Sequence, residues 1–167
     1  MNNIYEVLKH LDIKYTETLH QPVFTAEESQ AQWTELQGAH CKNLFFRDKK
    51  GTQHYLVILD CGKEMPIKQL NKALRTGRLS FASDERLFKY LALKPGAVSP
   101  FGLINDTENH VIVFIDSDLK NAEAISFHPN INTATLTISY NDFVKFMDWT
   151  GNHFEYVDLK EIETIEL

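Results

Sequence analysis

The sequence predicts an α+β fold, a single domain with a mixed, mostly antiparallel β-sheet flanked by helices. Three observations carry this. Segments of strand character outnumber helical ones along the 167 residues. The helices interrupt them unevenly, without a βαβ rhythm. No Pro/Gly/Ser-rich stretch cuts the chain into two core-sized pieces. Length alone favours one domain, spanning 1–167. A chain of this size buries roughly 70% of its unfolded surface, enough to fold without disulfides or metal.

The elements follow from local chemistry. Ile4, Val7, Leu8 and Leu11 recur at helical spacing behind Asn3 and Glu6, a capping pair, so residues 4–11 are predicted as an amphipathic helix. Ile13, Tyr15, Glu17 and Leu19 share one face of a strand that Pro22 stops. Thr25 and Glu28 have capping-box spacing, and a second helix is expected to run to Gly38. The clearest hairpin joins CKNLFFRD to HYLVILD through Lys49-Lys50-Gly51-Thr52. Pro66 starts a basic helix to about Leu74, LSFAS is a short strand, and 84–91 is another helix. Residues 94–102 hold two Gly and two Pro, too many breakers for an element interior, and are expected as a structured loop. HVIVFID, AISFHP and TATLTISY are strands, a helix runs from Asp142 to about Thr150 with Gly151 as its stop, and HFEYVDL is a last strand.

Composition narrows the function. Apolar residues are 43% and charged residues 24%, which excludes disorder and coiled coil. Cys41 and Cys61 form no CxxC and are expected as reduced thiols. No apolar stretch is long enough for a signal peptide or a membrane span, so a cytoplasmic protein without a membrane partner is expected. The net charge of −6 speaks against a generally basic nucleic-acid binder, but charge is unevenly placed. Residues 155–167 carry −4, whereas Lys42–Lys50 carry +3 and Lys63–Arg78 carry +4. Such stretches are more often solvated faces than binding sites, yet they can meet a phosphate-bearing partner locally.

The familiar catalytic signatures are missing. The sequence has no GxxxxGK[ST], GxGxxG, HExxH or GxSxG. Its seven histidines show no i, i+4 pair and no cysteine at ligand spacing, so they are expected to be scattered over the surface. His40 and Cys41 are adjacent, and on a strand they would point to opposite faces rather than form a dyad.

Three places stand out. Lys42-Asn43 opens the apolar arm leading to Phe45 and Phe46, where a lysine is either a snorkelling strand end or a held cation. Gly96-Ala97-Val98-Ser99-Pro100 is a bland turn or a rigid loop that aims backbone groups at a ligand. His128 sits where Pro129 ends a strand, as a hydrogen-bonded rim residue or a substrate contact.

In order and spacing these three places resemble the YbaK/prolyl-tRNA synthetase editing-domain family, and within it the free-standing PrdX/ProX type. HQPVFTAEE, KNLFFRDKKGTQHYLVIL, GAVSPFGLIND and SYNDFVKF extend the resemblance over nearly the whole chain. No single piece is specific; their arrangement is. The resemblance implies a YbaK-like aminoacyl-tRNA deacylase fold that hydrolyses alanine from mischarged proline tRNA, without cofactor or metal. It implies the acceptor end of the charged tRNA as partner, with transient encounters with prolyl-tRNA synthetase or an elongation factor. Lys42, Asn43, Gly96 and His128 match the family's catalytic positions, and Ala97, Val98, Ser99, Pro100 and Phe101 fall in its substrate-binding loop. In the chemistry so implied, the lysine holds the terminal phosphodiester, the loop backbone positions the ester, and a water assisted by the substrate's ribose hydroxyl attacks. An aminoacyl ester is already activated, so placement and oxyanion stabilisation suffice without a nucleophilic side chain. Deacylation of cysteinyl-tRNA and non-catalytic sensing of charged tRNA stay open as alternatives. In a regular strand Lys42 and Asn43 face opposite sides, so joint action at one site calls for a bulge or an irregular strand start.

Overall fold

Continuous apolar runs such as YLVIL and VIVFI bury successive side chains on opposite sides of a strand and so call for a sheet covered on both faces, and the computed structural model has this architecture. It describes residues 3–22, 38–64 and 66–159. The elements in chain order are α1 (Ile4–His10), β1 (Thr16–Leu19), β2 (Ala39–Arg47), β3 (His54–Asp60), α2 (Ile67–Leu74), β4 (Ser80–Phe81), α3 (Asp84–Leu91), β5 (Ile112–Asp116), β6 (Ala124–Phe127), β7 (Ala134–Ser139), α4 (Tyr140–Thr150) and β8 (Phe154–Val157). The helix expected between Thr25 and Gly38 lies outside the described residues.

One mixed sheet joins all the strands in the order β1-β7-β6-β2-β3-β5-β8, with β4 beside β2. The pairs β1–β7, β6–β7, β2–β3 and β2–β4 are antiparallel. The pairs β2–β6, β3–β5 and β5–β8 are parallel. In β3, Leu56 and Ile58 enter the larger core cluster while Val57 and Leu59 enter the smaller one. In β5, Val113 and Ile115 face the first and Phe114 the second. Helices α1, α3 and α4 cover the first face through Val7, Leu8, Leu91, Phe143 and Phe146. Helix α2 covers the second through Leu70 and Leu74.

The caps agree with the sequence. Asn3, Ser83 and Ser139 accept from backbone N–H groups in the first turns of α1, α3 and α4. Because the cap of α4 is Ser139, the helix begins at Tyr140, two residues before the expected start. The breaker-rich segment is more ordered than a loop. From Pro100 it continues as a 3-10 turn through Asn105, started by Ser99, whose Oγ accepts from Phe101 N at 3.1 Å. Gly102 closes tightly on Leu93, because an added Cβ would lie 2.6 Å from Leu93 Cδ1.

Candidate active site

The site is built where the sheet comes apart. β2 pairs with β6 only at Ala39↔Ile125 and His40↔Ser126. The same edge of β2 is next paired at Phe46 and Arg47, by β4. Between these points β2 diverges from β6, and a cleft opens there, lined by His40, Cys41, Asn43, Ser126, Phe127, His128 and Thr135. Its free volume is ≈ 20 Å³, about the room one water needs.

The divergence resolves the question of Lys42 and Asn43. The β2–β3 register is unbroken from Cys41↔Asp60 to Arg47↔His54, so there is no bulge. His40 and Ser126 share a face as a cross-strand pair. Counting in twos, Lys42 and His128 belong to that face, whereas Cys41, Asn43 and Phe127 belong to the other. Asn43 enters the cleft through the opening between the strands rather than by a distortion of β2. Its side-chain Oδ1 is buried and lacks a hydrogen-bond partner, an unmet acceptor of the kind that is costly unless used.

His128 is oriented by its backbone neighbour. Its Nδ1 lies 2.9 Å from Ala134 O, a group that only accepts, so Nδ1 carries the proton and Nε2 presents a lone pair. Burial lowers its pKa; the bond to Ala134 partly opposes this and nearby His20 adds to it. Burial and His20 thus both favour the neutral ring. His20, which no sequence signal singles out, packs edge-on against His128 with centroids 5.7 Å apart. Its Nδ1 donates to Gln21 O at 2.9 Å, leaving Nε2 to accept from the Thr135 hydroxyl at 2.8 Å. Only its place before Gln21-Pro22 hints at it, because Thr135 and His128, which tie it to the cleft, are more than a hundred residues away.

Lys42 is held outside the cleft. Its Nζ donates to Lys63 O at 2.7 Å, and among the described residues no carboxylate lies within ion-pair distance. It is thus a cation with donors to spare. Lys63, by contrast, is fully engaged by Asp116, Asp118 and Leu159 O. Cys41 is no nucleophile, since burial pushes its thiol pKa well up, with Cys61 and the Asp60 carboxylate acting in the same direction.

The loop residues stand one step away. Gly96 holds φ +88°, a left-handed conformation that a side chain would strain. Ala97, Ser99, Pro100 and Phe101 are buried, and Val98 packs partly buried against the large core cluster. None of them lines the cleft. They are tied to its rim through Asn130, whose Nδ2 lies 3.4 Å from Phe101 O, and through the edge-to-face rings of Phe101 and Phe127. The structure thus brings Asn43 and His128 together directly, Lys42 beside them, and the Gly96–Phe101 segment behind the His128 turn.

The expectation that all histidines scatter over the surface is corrected. His54 is fully buried and bonded to His110 and Arg86. Its burial follows from β3, where it opens the strand opposite Arg47 with its ring between Phe45 and Tyr90. Among the described residues no three His, Cys, Asp or Glu side chains group as metal ligands.

A mixed sheet that parts at a small polar cleft, with a lysine beside it that no carboxylate among the described residues pairs, forms the candidate site. The model of the aminoacyl-tRNA editing domain matches residues 20–146, and the chain belongs to that family. It is 43% identical over 152 residues to the prolyl-tRNA editing protein ProX of Acetoanaerobium sticklandii, covering 91% of this chain and 93% of that one. It is 33% identical over 147 residues to the prolyl-tRNA synthetase associated domain-containing protein 1 of Danio rerio, covering 87% and 79%. In fold it matches a crystal structure assigned provisionally to a trans-editing enzyme for prolyl tRNA synthetase, with a TM-score of 0.66 and 19% identity over 93% and 94% of the two chains. No helix among the described residues is long and apolar enough to cross a membrane.

Proposed function

We propose that this protein is a trans-editing hydrolase that removes alanine from mischarged proline tRNA, releasing free alanine and tRNA. The observation that carries the reading is the water-sized cleft in which Asn43 Oδ1 and His128 stand as acceptors beside the cation of Lys42, which no carboxylate among the described residues pairs. In this reading the terminal phosphodiester sits on Lys42, whose charge-assisted bond fixes the end of the tRNA. The ester then lies at the divergence of β2 and β6, with the Gly96–Phe101 segment supporting the rim. A water, helped by the substrate's ribose hydroxyl, attacks the ester carbonyl, and His128 Nε2 accepts a hydrogen bond from one of these hydroxyls and orients it. Catalysis comes from placement of the water against an already activated ester.

Selectivity follows from size. A synthetase pocket built for proline rejects alanine weakly, since each missing methylene is worth only about 1–3 kcal/mol, so a second, smaller site removes the error. In this reading the second site is shaped for a methyl side chain and excludes the proline ring by overlap. A single domain over 1–167 acting in the cytoplasm on the charged acceptor end, with brief encounters with prolyl-tRNA synthetase or an elongation factor, fits this reading.

The deciding experiment charges proline tRNA with alanine, cysteine or proline and measures the amino acid released by the protein. Alanine is released and proline retained. Preferential release of cysteine reassigns the substrate, and binding without release of any amino acid makes the protein a sensor instead.

A further inference from the structure

Outside the cleft, the exposed side of α2 carries charge of one sign in an acidic protein. From Met65 to Ser83 the sequence contains Lys68, Lys72, Arg75 and Arg78 and no acidic residue, in a chain whose net charge is −6. All four cations are exposed, and none has a carboxylate within ion-pair distance among the described residues. Lys68, Lys72 and Arg75 stand at i, i+4 and i+7, a single stripe about 10 Å long at 1.5 Å per residue. Leu70 and Leu74 bury the opposite side of the helix in the smaller core cluster. A like-charged i, i+4 pair with no acid to offset it weakens a helix, so the stripe is not explained by helix stability.

Its position gives it a use. α2 covers the face of the sheet to which Lys42 belongs, and the carbonyl that receives Lys42 is that of Lys63, four residues before α2 begins. We infer that α2 is the docking surface for the stem of the tRNA whose charged end occupies the cleft, with Lys42 as the near end of one cationic track and Lys68, Lys72, Arg75 and Arg78 as its continuation. This rests on the function proposed above. A duplex nucleic acid carries a negative charge for about every 1.7 Å of its axis, so a stripe of this length faces several phosphates, and its charge complements them without reading sequence.

The test uses the full chain and its variant with all four cations replaced by Gln (K68Q/K72Q/R75Q/R78Q), which keeps helix propensity while removing charge. Binding of uncharged proline tRNA is measured across salt concentrations, and hydrolysis is measured with alanyl-tRNA and with 3′-alanyl-adenosine, which has no stem. The variant is expected to bind tRNA at least tenfold more weakly, and its log-log salt dependence to be shallower by about 0.7–0.9 for each phosphate that is no longer neutralised. Turnover of alanyl-adenosine should be unchanged. Unaltered tRNA affinity and salt slope overturn the inference, as does an equal loss on both substrates, which would mark a general structural defect. Circular dichroism and a thermal melt separate that defect from misfolding, and a variant that fails to fold is replaced by the pairs K68Q/K72Q and R75Q/R78Q, read in the same way. If the wild-type protein releases no alanine yet the variant loses tRNA binding, the docking surface stands and the hydrolytic reading falls.

Discussion

Arg86 Nη1 lies 3.0 Å from His54 Nε2, and this contact fixes the tautomer of a buried ring. A guanidinium only donates, so His54 Nε2 accepts and its proton sits on Nδ1, which donates to His110 Nε2 at 2.9 Å. The chain tolerates no added proton on His54. Burial first, then the neighbouring His110 and Arg86, lower the His54 pKa from 6.5 to about 4. The unfolded chain therefore binds more protons than the folded one between those values, and stability is lost as pH falls from about 6.5 to about 4. The full loss is on the order of 2–4 kcal/mol. Urea denaturation across this range should show it, and His54→Phe, at a lower baseline, should flatten the dependence.

Asp116 is fully buried and receives Lys63 Nζ at 2.9 Å together with the N–H groups of Asp60 and Asp118. Burial alone would lower the Lys63 pKa, but its bonds to Asp118 and Asp116 outweigh this and raise it. Lys63→Met leaves the Asp116 carboxylate without its cation and should cost about 3–5 kcal/mol of stability. Adding Asp116→Leu should recover much of that loss, since a fully apolar replacement removes the uncompensated charge. Denaturant midpoints of the three variants check this. No recovery in the double variant would show that Asp116 acts through its backbone partners.

The strands and helices that carry the core were legible because their signals are local. The apolar, β-forming runs of 54–60 and 112–116 and the cap at Asn3 depend only on neighbours in the chain. The 3-10 turn at 100–105 was not, because prolines and glycines mark a break without saying how the chain fills it. Lys42, Asn43 and His128 were found by their odd surroundings and their order. What brings them together, the parting of β2 from β6 after His40, is a pairing between segments some 85 residues apart that no local pattern encodes. The burial of His54 was missed for the same reason, since Arg86 and His110 reach it from distant elements.

Lys42→Ala should fold normally, because its ammonium gives up a single hydrogen bond, to Lys63 O. Loss of a charge-assisted phosphate contact costs about 1.5–3 kcal/mol, roughly a ten- to hundredfold fall in kcat/KM on alanyl-tRNA, and misplacement of the ester adds to it. Steady-state kinetics with a thermal melt as control decide the matter. A folded variant with normal turnover makes the lysine structural.

His128→Ala should reduce turnover less than Lys42→Ala, since the ring orients a hydroxyl rather than holding the tRNA. The pH profile is the sharper readout. The lowered His128 pKa keeps Nε2 available below the ordinary histidine value, so activity should fall only as pH drops beneath about 6.5. His20→Gln removes the neighbouring ring whose interaction depresses the His128 pKa and should move this acid limb to higher pH. An unmoved limb assigns the titration to another group.

Val98 offers a test of how the protein tells alanine from proline. It packs, partly buried, against the large core cluster in the segment that supports the rim of the cleft, between buried Ala97 and Ser99. The segment cannot easily shift, because Gly96 is in a left-handed conformation and Ser99 caps the turn that follows. Trimming Val98 to Ala therefore leaves space rather than collapse. Removing two buried methyl groups should cost roughly 1–2 kcal/mol of stability, small enough to keep the protein folded. Exclusion by overlap is worth about 1–3 kcal/mol, so relaxing it should raise release of larger amino acids by up to about a hundredfold while alanine turnover changes little. Competition between alanyl-, seryl- and prolyl-charged proline tRNA measures the shift directly. If Val98→Ala slows all three substrates alike, the loop acts by holding the backbone at the rim, and the size filter must be sought in Phe127 and Thr135, which line the cleft itself.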